Sequence, residues 1–185
     1  GSECEKQLHY NGLKRFIFYG NKGTFDIPLL CLPLFPNLNI KKDIFCSFMG
    51  RYDTHFCRMK MRETLKNNTK FEFFDSVNFE KYKEIVNRSV FTLAPRGYGY
   101  TSFRIYEAIL CESIPIYIWD DKKILPFNDT IKWEEFCIVI HINELENLLD
   151  ILEKVDIKQM QSNLQKIKYN FTFEESYKYM CDKLH

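Results

Sequence analysis

The sequence predicts an α/β domain, a Rossmann-like parallel sheet covered by helices on both faces. Three observations predict it. From Ile44 onward, short apolar runs rich in β-branched and aromatic residues alternate with segments of helical periodicity. The strand-like run beginning at Val90 ends in a loop with Arg96, Gly97 and Gly99, and a helix pattern follows at once. The chain has 185 residues, 45% hydrophobic and 16% aromatic, enough for one good core and too few for two nucleotide-fold domains.

The elements follow in order. Arg15 to Tyr19 reads as a strand inside an otherwise irregular start, where Pro28, Pro33 and Pro36 interrupt an apolar segment containing Leu29, Leu30 and Leu34. Residues 1–40 are therefore a connector packed against a single domain formed by residues 41–185. In that domain Ile44 to Met49, Phe71 to Phe74, Val90 to Ala94, Ile114 to Trp119 and Cys137 to His141 are strands, short and apolar as buried parallel strands are. Helices are predicted at His55 to Leu65, Phe79 to Asn87, Ser102 to Glu112 and Asn143 to Val155. Two more close the chain, at Ile157 to Tyr169 and Phe173 to Lys183, the second opened by a Thr172 cap. Phe16, Phe18, Phe45, Phe48, Phe71 and Phe73 alternate as strand interiors do and are core candidates, and Trp119 and Trp133 read as core or rim packing.

Composition excludes several classes. Net charge is +1, from 26 basic and 25 acidic side chains, which argues against nucleic acid as a partner. Seven cysteines, an odd number without CxxC pairs, read as reduced thiols rather than a disulfide framework. His9, His55, His141 and His185 show no metal spacing, so no metal site is expected. No apolar run approaches a membrane span, and the four N-x-S/T triplets at Asn67, Asn87, Asn128 and Asn170 are expected by chance in an asparagine-rich chain. These features favour the cytoplasm. Gly1-Ser2 resembles a cloning remnant, so a removed anchor, and with it a Golgi lumen, stays open.

The loop and helix from Val90 to Glu107 have the parts of a phosphate pocket. Amides at a helix start lack internal partners, glycines allow close approach, and arginine supplies a permanent forked cation. Two readings compete. Gly97, Gly99 and Ser102 nearly match the dinucleotide fingerprint, with Asp120 as the ribose acid, which would suit an NAD-binding oxidoreductase. Against this, the third glycine is replaced by Ser102, the strand is a late one, and Arg96 intrudes where backbone alone is needed. The other reading takes the arginines together. Of seven, five lie after two strands, Arg51, Arg58 and Arg62 in one place and Arg96 and Arg104 in the other, and such loops share one edge of a parallel sheet. Arg58 and Arg62, a helical turn apart, read as a solvated helix face; Arg51, directly after Gly50, is the better ligand. Glu107, a turn and a half into the helix, can accept hydrogen bonds from ribose hydroxyls. A phosphate clamp beside a ribose clamp suits a nucleotide.

The residues also resemble a known family. The run Phe91 to Phe127, FTLAPRGYGYTSFRIYEAILCESIPIYIWDDKKILPF, is similar to the exostosin-type glycosyltransferase signature of PRG, S-x-R, an E-A pair, an IPV-like strand and an LPF loop. DIPLLCLP at Asp26 to Pro33 and IFCSFMGRY at Ile44 to Tyr52 extend the resemblance backwards, and ILPFNDTIKWEEFCIVI carries it forward. The resemblance implies an inverting enzyme of GT-B architecture, of which this chain would be the C-terminal, donor-binding half. It implies a nucleotide-diphosphate sugar, UDP-linked, as donor, a glycan as acceptor, and no metal or other cofactor. Arg51 and Arg96 would hold the diphosphate, Ser102 and Arg104 would support the helix start beside Gly97 and Gly99, and Glu107 would accept the ribose. Glu112 stands where the family has glycine, which implies a changed turn. A catalytic base is not identifiable; Asp26, Asp53 and Asp120 are weak candidates, and Asp121 beside the last is a surface acid. The acceptor half must come from a further domain or a partner chain, which leaves a non-catalytic nucleotide-sugar-binding module as the alternative.

Overall fold

A computed structural model of the chain describes residues 27–29, 36–37, 39–75 and 78–184. Strands β1 (Ile44–Met49), β2 (Phe71–Phe74), β3 (Ser89–Pro95), β4 (Ile114–Trp119) and β5 (Ile138–His141) form one sheet in the order β2-β1-β3-β4-β5. Every neighbouring pair is parallel, with Cys46 beside both Phe71 and Phe91, and Ile116 beside Leu93 and Ile138. The strands alternate with helices α1 (Phe56–Leu65), α2 (Phe79–Arg88) and α3 (Phe103–Leu110). The chain leaves β1 toward β2 on one side and then crosses back to β3 on the other. Crossovers of one hand running in opposite directions place α1 and α2 on opposite faces. The point where the direction reverses lies between β1 and β3. There the loops after the two strands diverge and leave a crevice.

Local chemistry explains the boundaries. Side-chain oxygens of Asn78 and Ser102 accept from the amides of Lys81 (2.9 Å) and Arg104 (3.3 Å), and Nδ1 of His55 accepts from Cys57 (3.4 Å), so each helix after a strand starts on a cap. The central strands are nearly continuous apolar runs, and the hydroxyls among them are paired, Ser47 with Ser89 at 2.6 Å and Thr92 with Ser113 at 2.7 Å. Phe48, Phe91, Ile116, Tyr117 and Trp133 are fully buried, while Phe45 and Phe73 pack on this core from its margin. The helix expected over Asn143 to Val155 is two pieces, a 3₁₀ segment (Ile142–Asn147) and α4 (Leu148–Lys154). His141 and Glu144 form a capping box that tightens the first turns. Helices α5 (Ile157–Ile167) and α6 (Phe173–Leu184) follow, separated by a 3₁₀ segment (Lys168–Phe171).

Of the connector, Leu29 packs on the core and the amide of Asn37 donates to Asn87 Oδ1 at 2.8 Å. The strand read at Arg15 to Tyr19, the residues Leu30, Pro33, Leu34, Phe16, Phe18, His9 and His185, and the base candidate Asp26 lie outside the described residues. The five described cysteines are free thiols. No helix among the described residues is long and apolar enough to cross a membrane.

The turn after α3 corrects an expectation. Glu112 does not change the glycine-type turn; it adopts the left-handed conformation itself, at φ 56°, while its amide and that of Ser113 donate to Ile109 and Ala108 (3.1 and 2.9 Å). Its carboxylate offsets the strain by pairing with Lys168 Nζ at 2.7 Å and accepting from Gln165 at 3.0 Å, and both members of the ion pair are nearly buried. Glu112→Gly should therefore destabilise the domain. Relief of the left-handed strain is about 1 kcal/mol, whereas an unpaired, nearly buried Lys168 costs about 3 kcal/mol. Denaturant unfolding of the variant reads the net loss; a gain would show the ion pair to be worthless.

Candidate functional site

The crevice at the β1/β3 reversal holds two adjoining pockets of about 280 and about 410 Å³. The smaller runs from Met49, Gly50 and Arg51 to Phe79 and Tyr82 on α2. The larger lies under Gly97, Tyr98, Gly99 and Thr101 and reaches Ser102 at the start of α3, with Leu29 of the connector on its wall. Thr54, Arg58, Arg104 and Glu107 line both. Three buried polar atoms here make no hydrogen bond among the described residues: Thr54 Oγ1, Thr101 Oγ1 and Arg104 Nε. Unspent buried donors of this kind suit a polar ligand.

Arg58 corrects the sequence reading most sharply. It is no solvated face but a buried staple, 8% exposed, whose Nε donates to the carbonyl of Arg96 (3.0 Å) and whose Nη1 donates to that of Arg51 (2.9 Å). It thereby joins the two loops that make the crevice. A Cβ at Gly97 would stand 3.2 Å from its Nη2, so the glycine is the room this guanidinium needs. Burial and the charge of Arg104 bring the Arg58 pKa down to about 10. Arg62 is half-exposed, paired with Asp75 at 3.1 Å and lying over the Tyr52 ring.

The other predicted residues divide. Ser102, Gly97, Gly99, Arg104 and Glu107 meet at the larger pocket as expected. Glu107 Oε2 accepts from Tyr82 Oη (2.7 Å) and from Arg104 Nη1 (3.1 Å), and the Arg104 guanidinium lies 4.4 Å over the Tyr82 ring. Arg51 lines only the smaller pocket and is forked onto Asp53, at 3.0 and 2.7 Å, on the open surface. That guanidinium holds the Asp53 carboxyl below its ordinary pKa, which makes Asp53 a poor base. Arg96 lines neither pocket. It is buried, lies over the ring of Tyr100, donates to the carbonyl of Gly99 (3.1 Å), and forms a nearly buried ion pair with Asp120 at 2.8 Å.

Asp120 is thus held by Arg96 and is no more available as a base than Asp53. Its neighbour His55 places Nε2 3.7 Å from Oδ2, while its Nδ1 already caps α1. With Cys57, these two are the one trio of metal-ligand type among the described residues, a proximity that the spacing of the histidines concealed. The donor set does not suit a cation, because burial drives the Cys57 thiol up to about 12 and the Arg96 guanidinium already neutralises Asp120. Tyr82, Thr54 and Phe79 are site residues that sequence reasoning missed; each sits in a pattern that core packing or capping accounts for equally well.

Gly50 carries the closest approach in the crevice. Its φ is 157°, and a Cβ there would lie 2.6 Å from Arg104 Nη2. Gly50→Ala should push Arg104 off Glu107 and destabilise the domain by about 1.5–3 kcal/mol, the share of one hydrogen bond between charged groups. Denaturant unfolding checks it, and unchanged stability would show the Arg104–Glu107 contact to be dispensable.

The model of the exostosin GT47 domain matches residues 35–155, which span all five strands and every lining residue of the crevice but Leu29. The chain belongs to the exostosin GT47 family. Curated relatives include the probable glucuronosyltransferase GUT1 of Oryza sativa subsp. japonica, 34% identical over 106 residues, 57% of this chain and 25% of that protein. The probable beta-1,4-xylosyltransferase IRX10 of Arabidopsis thaliana is 33% identical over the same length and shares. The chain thus spans about a quarter of the length of these exostosin relatives. Among solved structures, TarM superposes with a TM-score of 0.53 at 10% identity, covering 86% of this chain and 39% of TarM. The C-terminal domain of a group 1 family glycosyl transferase, LpcC from Francisella tularensis, gives 0.51 at 9%, covering 76% of this chain and 97% of that domain. At such identities the likeness is one of fold. It places the exostosin chain with the Rossmann-like C-terminal half of GT-B glycosyltransferases.

Proposed function

We propose that this chain is the donor-binding half of an inverting glycosyltransferase that uses a UDP-linked sugar and transfers it to a glycan. The observation that carries the proposal is the placement of Glu107 at the junction of the two pockets, with Arg58 and Arg104 beside it. In a nucleotide the ribose lies between base and phosphates. With ribose at Glu107, the diphosphate fits the larger pocket, where the glycine loop, Thr101, Ser102 and the amides at the start of α3 converge. The base then fits the smaller pocket, against Phe79 and Arg51. Arg58 takes the phosphate role that the sequence suggested for Arg96, and Arg96 acts indirectly by holding the loop at Gly99.

The chemistry follows from charge. A base removes the proton of an acceptor hydroxyl, its oxygen attacks the anomeric carbon from the face opposite the diphosphate, and the C–O bond to the diphosphate breaks. Two guanidiniums and a helix N-terminus stabilise the leaving diphosphate. We propose that these charges serve in place of a metal, so turnover should survive EDTA. The base is assigned to the acceptor half, in a further domain or partner chain, since Asp53 and Asp120 are both engaged by arginines. In support of UDP, the pneumococcal O-GlcNAc transferase GtfA, a fold neighbour at TM-score 0.50, 11% identity, covering 86% of this chain and 39% of that one, was solved in complex with UDP and GlcNAc.

Calorimetric titration with UDP, GDP and NAD tests the reading. UDP should bind; NAD binding without UDP binding would overturn it in favour of an oxidoreductase. Against that alternative, Asp120, which would be the ribose acid for NAD, lies outside both pockets. A second reading is a binding module that needs a partner, favoured because Asp53 and Asp120 are both held by arginines. Turnover of UDP-sugars by this chain alone, with a panel of glycan acceptors, would exclude it.

A further inference from the structure

We infer that Tyr82 is a positioning residue that sets the preference for a ribose diol by fixing one oxygen of Glu107. The inference rests on the reading of Glu107 as the ribose acceptor. Tyr82 sits on α2, an element of the fold separate from the glycine loop and α3, and is 5% exposed. Its ring packs with Ile85, Val86 and Met49 in a small core cluster under α2, which leaves the phenol little freedom. From there the hydroxyl donates to Glu107 Oε2 at 2.7 Å.

Arg104 completes the arrangement. Its Nη1 donates to the same Oε2 at 3.1 Å, and its guanidinium covers the face of the Tyr82 ring at 4.4 Å, so the two donors brace each other. Both converge on one carboxylate oxygen, and Oε1 has no hydrogen bond among the described residues. The terminal torsion of a glutamate is broad, and a carboxylate beside an arginine alone can swing to take a forked pair with both oxygens. That would consume the acceptor a ribose needs. The tyrosine opposes this by holding Oε2 with a second donor, leaving Oε1 for the ligand. Burial pushes the Tyr82 pKa up, which favours the protonated, donating phenol. A cis-diol presents two donors to such an oxygen; a 2′,3′-dideoxy sugar presents none there.

The test is calorimetry of the whole chain with UDP and with 2′,3′-dideoxyuridine 5′-diphosphate, for the native protein, Tyr82→Phe and Glu107→Gln. The native protein should prefer UDP. Tyr82→Phe keeps the ring and its packing, so the preference for UDP over the dideoxy compound should fall about tenfold, one charge-assisted hydrogen bond. Glu107→Gln should lose the preference. If Glu107→Gln loses it and Tyr82→Phe retains it in full, the phenol only packs and the inference fails while the ribose role of Glu107 stands. If both variants keep the preference, the ribose role of Glu107 falls and the inference with it. A drop in affinity of Tyr82→Phe that is equal for both ligands marks a general loss of structure and also overturns the positioning role.

Discussion

Arg58→Ala is expected to weaken UDP binding about a hundredfold and to destabilise the domain, with a larger effect than Arg51→Ala on both counts. Arg58 donates to the carbonyls of Arg51 and Arg96 from a site that is 8% exposed, so its loss leaves two peptide oxygens in the crevice unpartnered. Each such charge-assisted bond contributes about 1.5–3 kcal/mol, and the two together are a large fraction of the stability of a small domain. The loops after β1 and β3 would also lose a side chain that bridges them, and the proposed diphosphate site would lose a cation. Arg58→Lys should rescue little, because one ammonium replaces the planar guanidinium whose separate Nε and Nη1 reach the two carbonyls. Arg51, by contrast, is paired with Asp53 on the open surface, where such pairs add almost nothing to stability. Calorimetry and thermal melting of the three variants decide the matter. A larger loss of affinity in Arg51→Ala would return the phosphate role to the residue that the sequence had favoured.

Asp120→Ala should cost about 3–5 kcal/mol, because it leaves the Arg96 guanidinium unpaired at a site where both partners are about 10% exposed. The loop should loosen with it, since Arg96 also holds the carbonyl of Gly99. The pH dependence has a definite sign. Burial works to raise the Asp120 pKa, but the hydrogen bond and charge of Arg96 outweigh it, and the carboxyl titrates below its ordinary value of 3.8. A depressed carboxyl pKa contributes stability that is complete above the unfolded value and is lost as pH falls through the folded one. The native protein should therefore lose stability in acid below about pH 4 more steeply than Asp120→Ala. Urea unfolding at pH 7 and at pH 3 measures both. Equal stability of the two proteins at pH 7 would mean that solvent replaces the ion pair.

The five strands were legible because each is a short, β-branched or aromatic run bounded by caps and turns. Their bounds differ from expectation by a residue or two at most, as at β3, which gains Ser89 and Pro95. The glycine loop, Ser102, Arg104 and Glu107 were legible for a similar reason. They are adjacent in sequence, and a helix start places them without help from the rest of the chain. Arg58, Tyr82 and Arg96 were not. A helical arginine one turn from another looks solvated, a tyrosine on an apolar helix face looks like core, and an arginine in a phosphate loop looks like a ligand. In each case the partner that decides the side chain's direction is remote, 38 residues away for Arg58, 25 for Tyr82 and 24 for Arg96.

By itself the sequence determined the sheet, the family and the short-range half of the site, because periodicity, capping and turn chemistry act over a few residues. Only the tertiary structure decided which arginines face the crevice. The parallel sheet brings the ends of β1, β3 and β4 to one edge, where few carboxylates and carbonyls are available to several cations. Arg96 pairs with Asp120 and Arg51 with Asp53, while Arg58, bound only to carbonyls, keeps its full charge between the two pockets.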